Sequence, residues 1–325
     1  MAEVFAYLDG FGTSGGTGGT LTVTAPAGVT VTVSKDGKTK TKAAGDSGVV
    51  TFKGLKTGTW TVSISDGAQT ASKAVEITTD YSMAISFNAI PDFTYTGDFE
   101  IVSDSDELIT VSQDNWKIRF LTSGTLVFNS LNGAEGGIDI FLVGGGAGGN
   151  STHRGAGGGG GGYTQTAAAV GVQVGVEYNI IIGAGGTGAA EAGGKAGGAT
   201  SAFGVTANGG DALPTNGTYG GNGGSGGGSG QLDGEKDGTY ATAGVGGTDG
   251  ANGTGTYPGT GQGTTTREFG ESGGTLYATG GDGAISSPED AEANTGDGGD
   301  GSKSNGVSGS GGSGIVIIRN TREAA

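Results

Sequence analysis

The chain has few residues whose types and spacing suit chemistry, and they are widely separated. His153 is its one histidine and it contains no cysteine, so we expect neither a zinc site of the usual kind nor a cysteine nucleophile. Gly144, Gly146 and Gly149 have the spacing of a dinucleotide-binding loop after a predicted strand, but more glycine follows where that loop requires a helix. We therefore expect no catalytic residue, no cofactor and no metal.

Two groups of closely spaced carboxylates carry the oxygen ligands that calcium prefers. Asp297 and Asp300 are separated by two glycines, and Asp233, Glu235 and Asp237 occupy alternate positions. Solvated carboxylates of loops give the same pattern, and we favour that interpretation over a calcium site. Hydrolysis of glycans also uses paired carboxylates, but no spacing here places two acids across one groove.

The overall charge limits the partners that the chain can bind. The formal net charge is −16 and the isoelectric point is about 4.3. Because a surface of this sign repels phosphate groups, we expect no nucleic-acid partner. No stretch approaches the roughly 18 consecutive apolar residues of a transmembrane helix, so we expect no membrane insertion.

Four segments differ in composition. Residues 1–19 begin with the apolar cluster Val4–Leu8 and continue in glycine and threonine, as either a flexible linker or a docking segment does. Residues 20–90 alternate apolar and polar residues between turn signals and predict about seven short strands in a small sandwich. Residues 91–143 predict a second β unit, a collar. Residues 144–325 are glycine-rich.

Three motifs of the segment 20–90 carry a resemblance to known modules: Ala25-Pro-Ala-Gly28, Asp36-Gly37-Lys38 and the run from Phe52 to Trp60. With them the segment resembles the PEGA and carboxypeptidase-regulatory-like group of immunoglobulin-like modules. The resemblance implies a spacer or a platform near carbohydrate. A basic patch in this segment predicts protection of edge strands, with a binding patch as the alternative; it consists of Lys35, Lys38, Lys40, Lys42, Lys53 and Lys56.

Glycine occupies 78 of the 325 positions, a composition that by itself is typical of disorder. Apolar strand patterns nevertheless precede, interrupt and end the glycine-rich segment, at Ile138–Val143, Val176–Ile182 and Ile315–Arg319. We therefore predict an ordered segment of extended threefold helices, called polyglycine II. Such helices hydrogen-bond to their neighbours at a distance that only glycine permits, and these bonds replace a side-chain core.

The predicted fold class is accordingly all-β. It combines an N-terminal immunoglobulin-like β-sandwich, a small β collar and a distal glycine-rich domain of packed polyglycine II helices on a short β-sheet.

A series of ordered motifs carries a second resemblance: Phe141–Gly149, Gly157–Tyr163, Tyr178–Gly186, Arg267–Gly270 with Tyr277–Gly281, and Gly311–Arg319. Together they look like the glycine-rich domain of phage tail-fibre proteins, and the architecture is similar to the polyglycine-sandwich adhesins of T-even-type phages. The resemblance implies host attachment through the loops that join the helices. It also implies a virion protein made in the host cytoplasm, which agrees with an N-terminus that lacks the basic and apolar regions of a signal peptide.

The predicted binding loops are four segments with fewer glycines: Asp211–Tyr219, Gln231–Thr242, Thr254–Gln262 and Ala284–Thr295. They combine tyrosine with small polar residues, as antibody loops do. The alternative is that their large side chains only cap the glycine helices. The predicted receptor-binding residues are Leu213, Tyr219, Leu232, Tyr240, Tyr257 and Ile285.

Two functions stay open at this point. One is an adhesin that binds a glycan or a protein of the host surface, and the other is a structural part such as a head fibre, capsid decoration or baseplate ornament. In both, the N-terminal region contacts other virion proteins. An enzyme that acts on cell-wall glycan is a third alternative. Tail fibres are commonly homotrimers, and we favour a homotrimer here; monomeric tips also exist, and the sequence contains no heptad repeat that decides between them.

Overall fold

The computed structural model divides the chain into two compact units, residues 1–88 with 111–114 and residues 89–110 with 115–325. We call them the N-terminal unit and the glycine-rich unit. The structure describes residues 18–67, 70–85, 90–109, 115–131, 134, 136–151, 157–190, 193–211, 219–230, 242–246, 251–258, 265–303 and 306–321. The predicted docking segment 1–19 therefore lies almost entirely outside the described residues.

The described residues have β-strands as almost all of their regular secondary structure. They contain one short 3-10 turn, Glu268–Gly270, and no α-helix. Accordingly, none of the described chain forms a helix of the length and apolar character that a membrane span requires.

Seven strands make up the N-terminal unit: β1 (Gly19–Thr24), β2 (Thr30–Lys35), β3 (Lys38–Ala43), β4 (Val49–Leu55), β5 (Gly58–Ser65), β6 (Thr70–Ile77) and β7 (Tyr81–Ala84). They form two sheets, in the orders β4-β1-β7 and β3-β2-β5-β6. All neighbours are antiparallel except β1 and β7, which are parallel.

Both sheets of the N-terminal unit share one apolar core. In β5, Trp60, Val62 and Ile64 are buried, whereas the residues between them are half-buried or exposed. Leu21 and Phe52 of the other sheet belong to the same cluster of buried side chains. The period-two alternation in the sequence therefore corresponds to two small sheets packed face to face.

The hairpin between β2 and β3 turns at Asp36 and Gly37, whose φ angles are +50° and +74°. Two consecutive positive φ angles are typical of a type I′ turn, which matches the twist of the flanking strands. Lys35 and Lys38 pair directly across this turn. The Asp-Gly signal in the sequence thus fixes the register of the hairpin.

Lysine side chains of β3 reach the edge of the other sheet. Lys42 Nζ donates to the carbonyl oxygen of Thr51 at 2.7 Å, and Lys40 Nζ donates to that of Lys53 at 3.1 Å. Both acceptors belong to β4, whose one strand partner in the described sheet is β1. These ammonium groups therefore hydrogen-bond to carbonyl oxygens that could otherwise pair with a strand of another chain, as the edge-protection interpretation predicts.

Ten strands belong to the glycine-rich unit: β8 (Phe93–Tyr95), β9 (Phe99–Val102), β10 (Lys117–Phe120), β11 (Gly124–Phe128), β12 (Ile138–Val143), β13 (Thr164–Val170), β14 (Glu177–Ile180), β15 (Thr200–Ala202), β16 (Val205–Ala207) and β17 (Ile315–Asn320). They form a five-stranded sheet β13-β12-β17-β10-β9, a three-stranded sheet β14-β11-β8 and the hairpin β15-β16, all antiparallel. The segment 91–143 thus shares its two sheets with strands of the glycine-rich segment.

The five-stranded sheet is buried on both faces at its centre. Ile140 and Ile318 contribute to one core, which also contains Trp116 and Phe128. On the opposite face, Phe141 packs in a second cluster that includes Phe269, Tyr277 and Ile317. Burial on both sides explains why Ile140–Val143 of β12 and Ile315–Ile318 of β17 are continuous apolar runs rather than alternating ones.

The glycine-rich segments between the strands bond to one another through their backbones. We call these segments, residues 144–150, 157–163, 183–188, 193–198, 219–230, 279–283, 296–302 and 308–314, the glycine lattice. Backbone nitrogens of successive residues in segment 144–150 donate to three different neighbouring segments, 157–163, 195–198 and 309–312. The same neighbour recurs at every third residue. The N···O distances are 2.8–3.0 Å for Gly144–Tyr163, Ala147–Gly160, Asn150–Gly157, Gly145–Gly198, Gly148–Lys195, Gly146–Gly312 and Gly149–Gly309.

Glycine is required in the lattice because carbonyl oxygens occupy the places of β-carbons. A β-carbon on Gly146 would lie 1.8 Å from the carbonyl oxygen of Asp297, and one on Gly149 would lie 2.1 Å from that of Asp300. Such distances are far below van der Waals contact, so no side chain fits at these positions. Backbone hydrogen bonds and close backbone contact therefore take the place of a side-chain core in this part of the unit.

Candidate binding surface at the distal end of the glycine lattice

The lattice has two ends, one at the five-stranded sheet and one away from it. Segment 144–150 leaves β12 and segment 157–163 returns to β13, so Asn150 and Gly157 lie away from the sheet. Ser302 N donates to Asn150 O at 2.9 Å, and Ser308 Oγ donates to Gly149 O at 2.5 Å. We call the end that contains Asn150, Gly157, Ser302 and Ser308 the distal end.

Tyr219 lies at the distal end. Its carbonyl oxygen would be 1.9 Å from a β-carbon on Gly157, so its backbone is in direct contact with the lattice. The side chain nevertheless extends into solvent, and the residue is 46% exposed. A fixed backbone with an exposed ring leaves little conformational freedom to lose when a partner binds.

Tyr257 is presented at the same end by a tight turn. The backbones of Thr254 and Tyr257 bond to each other in both directions, at 2.9 and 3.1 Å. Between them, the carbonyl of Gly255 accepts from Ser229 N at 2.6 Å and that of Thr256 accepts from Gly283 N at 2.7 Å. The turn is thus anchored on two lattice segments, while Tyr257 itself is 73% exposed.

Backbone hydrogen bonds within the glycine lattice place the two tyrosines at one end of the unit. Gly158 N donates to Gly228 O at 2.9 Å and Gly158 O accepts from Gly221 N at 3.0 Å. Gly221 follows Tyr219 by two residues, and Gly228 precedes Ser229, which anchors the Tyr257 turn. Two sequence-distant predicted residues are therefore brought to the same end of the lattice.

Ile285 occupies a different position from the tyrosines. Its nitrogen donates to Gly301 O and its carbonyl accepts from Lys303 N, both at 2.8 Å, and its side chain is half-buried. Within Ala284–Thr295, Ala291 N also donates to Ser310 O at 2.8 Å. Much of this predicted loop thus continues the lattice, and its geometry is closer to the capping alternative than to a free loop.

Several predicted residues lie outside the part of the chain that the structure describes. They are Leu213, Leu232 and Tyr240 of the predicted binding set, His153, and the carboxylates Asp233, Glu235 and Asp237.

One exposed apolar residue at the distal end was not predicted from the sequence. Val307 is 67% exposed, forms a bridge with Ala190 and precedes Ser308. Its sequence signal is a single apolar residue between Gly306 and Ser308, which is too weak to distinguish from the many short spacers of this segment.

The carboxylates of the pair Asp297 and Asp300 bond to the backbone. Asp297 Oδ1 accepts from Thr279 N at 2.7 Å, and the two oxygens of Asp300 accept from the nitrogens of Asp282 and Glu289 at 2.9 and 3.1 Å. Burial raises the pKa of Asp297 to about 6. Among the described residues no three acidic or histidine side chains are grouped as a metal site requires, and these two carboxylates cross-link lattice segments instead.

Fold and surface together define a class of protein: a mostly β unit in which backbone-bonded glycine segments extend from a sheet and carry exposed tyrosines at their far end. A family model described as a glycine-rich domain matches residues 122–321. Since this match covers more than half of the chain, the chain belongs to the glycine-rich domain family. The matched range contains β11 to β17 together with the whole lattice. No curated protein matches the chain.

Proposed function

We propose that this chain is a structural protein of a bacteriophage virion, a tail-fibre or adhesin subunit that binds the host cell surface through the distal end of the glycine lattice. The observation that carries the proposal is the presentation of Tyr219 and Tyr257 by backbone that the lattice holds in place. Tyrosine on rigid backbone supplies contact area for a partner with little loss of entropy on binding.

The lattice is proposed to consist of packed polyglycine II helices. This proposal is supported by the donation of every third nitrogen to the same neighbour, because a helix with three residues per turn repeats its direction after three residues. It is also supported by the glycine contacts, in which the site of each missing β-carbon is filled by a neighbouring carbonyl.

For the N-terminal unit we propose an immunoglobulin-like spacer that connects the adhesin to other virion proteins. The seven strands in two face-to-face sheets support this assignment. In this proposal the chain acts without catalysis and without a cofactor, is made in the host cytoplasm and is carried on the virion.

The proposal is tested by binding of the full chain to bacteria. Fluorescently labelled protein is titrated onto a panel of candidate host strains, and bound protein is measured by flow cytometry. We expect saturable binding to some strains and its loss in the double variant Tyr219→Ala/Tyr257→Ala. Tyr81→Ala is the matched control, because Tyr81 is also 46% exposed but lies in the N-terminal unit.

Equal binding by the double variant and the wild type would contradict a distal binding surface. Absence of binding to every strain, by protein whose circular dichroism shows it folded, would favour the structural alternative. Immunogold labelling of virions would then locate the chain on the head or the baseplate.

A further inference from the structure

A pocket of about 140 Å³ lies in the N-terminal unit, where residues of the β2–β3 hairpin meet residues of the turn between β4 and β5. We call it the lysine pocket. Its lining includes four lysines, one carboxylate and one aromatic ring, namely Lys35, Lys38, Lys40, Lys56, Asp36 and Trp60.

The register of the hairpin explains why three of these lysines meet. Lys35 and Lys38 pair directly across the turn, so their side chains leave the same face of the sheet. Lys40 follows Lys38 by two residues in β3, and the alternation of a strand puts it on that face as well. Its partner in β2 is Val33, which is buried in the core between the two sheets. The lysines therefore stand on the face of the sheet that is turned toward the core.

Two hydrogen bonds and one glycine fix the walls of the lysine pocket. Lys35 Nζ donates to the carbonyl oxygen of Thr57 at 2.9 Å. A β-carbon on Gly58 would lie 1.9 Å from the same nitrogen, so only glycine at this position lets the ammonium group lie against the turn. Trp60 Nε1 donates to the carbonyl oxygen of Lys56 at 2.8 Å, which ties the backbone of Lys56 to β5. A ligand therefore meets walls that are already positioned, which reduces the entropy lost on binding.

Edge protection accounts for only part of this cluster. Lys40 and Lys42 donate to carbonyls of the edge strand β4, but Lys35 donates to Thr57, which lies in the turn after that strand. Lys35 and Lys38 are moreover like charges directly opposite each other, an arrangement that destabilises a strand pair. An anion bound beside them would offset this repulsion.

The charge of the lysine pocket restricts the ligand. Four lysines against one aspartate give it a formal charge of +3, within a chain whose formal net charge is −16. Attraction grows with the charge of the anion, and a phosphate monoester carries about two negative charges near neutral pH, more than a carboxylate carries. Lysine ammonium groups bind phosphate as point charges. Because the acidic remainder of the chain repels a long polyanion such as nucleic acid, a single phosphate group is favoured.

We propose that the lysine pocket binds one phosphate group, either inorganic phosphate or the phosphate ester of a polyol or sugar. Lys38 and Lys56 are exposed, so their ammonium groups can be reached from solvent. Lys35 uses one N–H for Thr57 and has further N–H groups to donate. A volume of about 140 Å³ is below the usual range of drug-sized sites and suits one such group. This site goes beyond the proposed function, which concerns the distal end of the glycine lattice, and it does not depend on it.

The test uses the full chain at low ionic strength and follows the phosphorus NMR line of each probe, which broadens when the probe binds. Glycerol phosphate and inorganic phosphate are the two probes, and glycerol and acetate are added as competitors in separate samples. The pocket variant is Lys38→Met/Lys56→Met, which removes two ammonium groups and keeps an unbranched apolar chain at each exposed position. Lys53→Met/Lys73→Met is the matched control, because it removes the same charge from exposed lysines of the same unit outside the pocket.

We expect saturable broadening of the glycerol phosphate line, with an affinity that falls by about tenfold in the pocket variant, as loss of hydrogen bonds between charged groups predicts. The control variant should bind as the wild type does, and glycerol should not displace the probe. Equal affinity for inorganic phosphate would show that the phosphate alone is recognised, whereas weaker binding of inorganic phosphate would show that the polyol contributes.

Three results would overturn the proposal. One is the absence of saturable broadening for both probes, with protein whose circular dichroism shows it folded. Another is an equal loss of affinity in the pocket variant and the control variant, which would mean that only the overall charge of the unit matters. The third is displacement of the probe by an equal concentration of acetate, which would mean that the pocket does not select phosphate.

Discussion

Gly160 lies so close to Asn222 that a β-carbon on Gly160 would be 2.1 Å from the Asn222 carbonyl oxygen. The two residues are 62 positions apart, and no side chain separates their segments. The same relationship recurs across the lattice, where the backbone of one segment fills the space beside the next. Order in this part of the unit therefore depends on glycine itself rather than on apolar side chains.

Gly160→Ala should consequently destabilise the glycine-rich unit. The added methyl group must displace a carbonyl that neighbouring segments hold in position, so we expect a cost of about 1–3 kcal/mol, as overpacked cores show. Gly171→Ala is the control, because a β-carbon there would meet nothing within 4 Å. Hydrogen-exchange mass spectrometry of peptides from 138–163 measures the effect, and equal exchange in both variants would contradict a tightly packed lattice.

The buried ion pairs make a second prediction. Lys117→Met removes one of the two cations that Asp106 and the buried Glu268 share, and because Arg119 stays beside both carboxylates, we expect a cost near the lower end of the range for a broken buried pair, about 3 kcal/mol. Lys303→Met, at an exposed lysine, should change stability by less than about 0.5 kcal/mol. Urea unfolding of the full chain checks both values. A stability of Lys117→Met equal to that of the control would show that the network contributes nothing.

Much of the β structure can be predicted from the sequence because its cause is local. Alternation at period two marks β5, and the apolar runs Ile140–Val143 and Ile315–Ile318 mark β12 and β17, the strands buried on both faces. The strand β13 was not predicted, since Thr164–Val170 contains three alanines and no alternating pattern of large residues. Its pairing with β12 is decided by tertiary contact rather than by local preference.

The candidate sites show the limit of such prediction. Tyr219 and Tyr257 were predicted as exposed binding residues because tyrosine between short polar residues is a local signal. A cluster of charged side chains that lines one cleft was missed, since its members Asp106, Lys117, Glu268 and Arg319 come from four separated parts of the chain. Only the strand order β17-β10-β9 and the turn at Glu268 bring them together, and no local sequence pattern predicts either of them.

The lysines of β3 predict a change in solubility rather than in fold. Replacing Lys40 and Lys42 by serine removes the ammonium groups that donate to Lys53 and Thr51 of β4. The freed carbonyls of an edge strand can then pair with a second chain, so we expect concentration-dependent self-association with little loss of stability. Dynamic light scattering at several protein concentrations measures it. Lys56→Ser, in the turn between β4 and β5, should leave the chain dispersed; aggregation of this control to the same extent would implicate net charge instead.

Asp297 makes stability of the glycine-rich unit depend on pH. Burial, which outweighs its hydrogen bonds from Thr279 and Thr295, raises its pKa from 3.8 to about 6, so the folded chain binds the proton more tightly than the unfolded chain does. The resulting cost of ionising Asp297 is absent below about pH 4, grows as pH rises through this window and is complete above about pH 6, where it amounts to about 3 kcal/mol at most.

Asp297→Asn keeps an oxygen that accepts from Thr279 N but carries no charge. We therefore expect the variant to be more stable than the wild type at pH 7.5 and equal to it near pH 4, as measured by urea unfolding at both pH values. A variant that is less stable than the wild type at pH 7.5 would mean that the carboxylate's charge strengthens the lattice instead of weakening it.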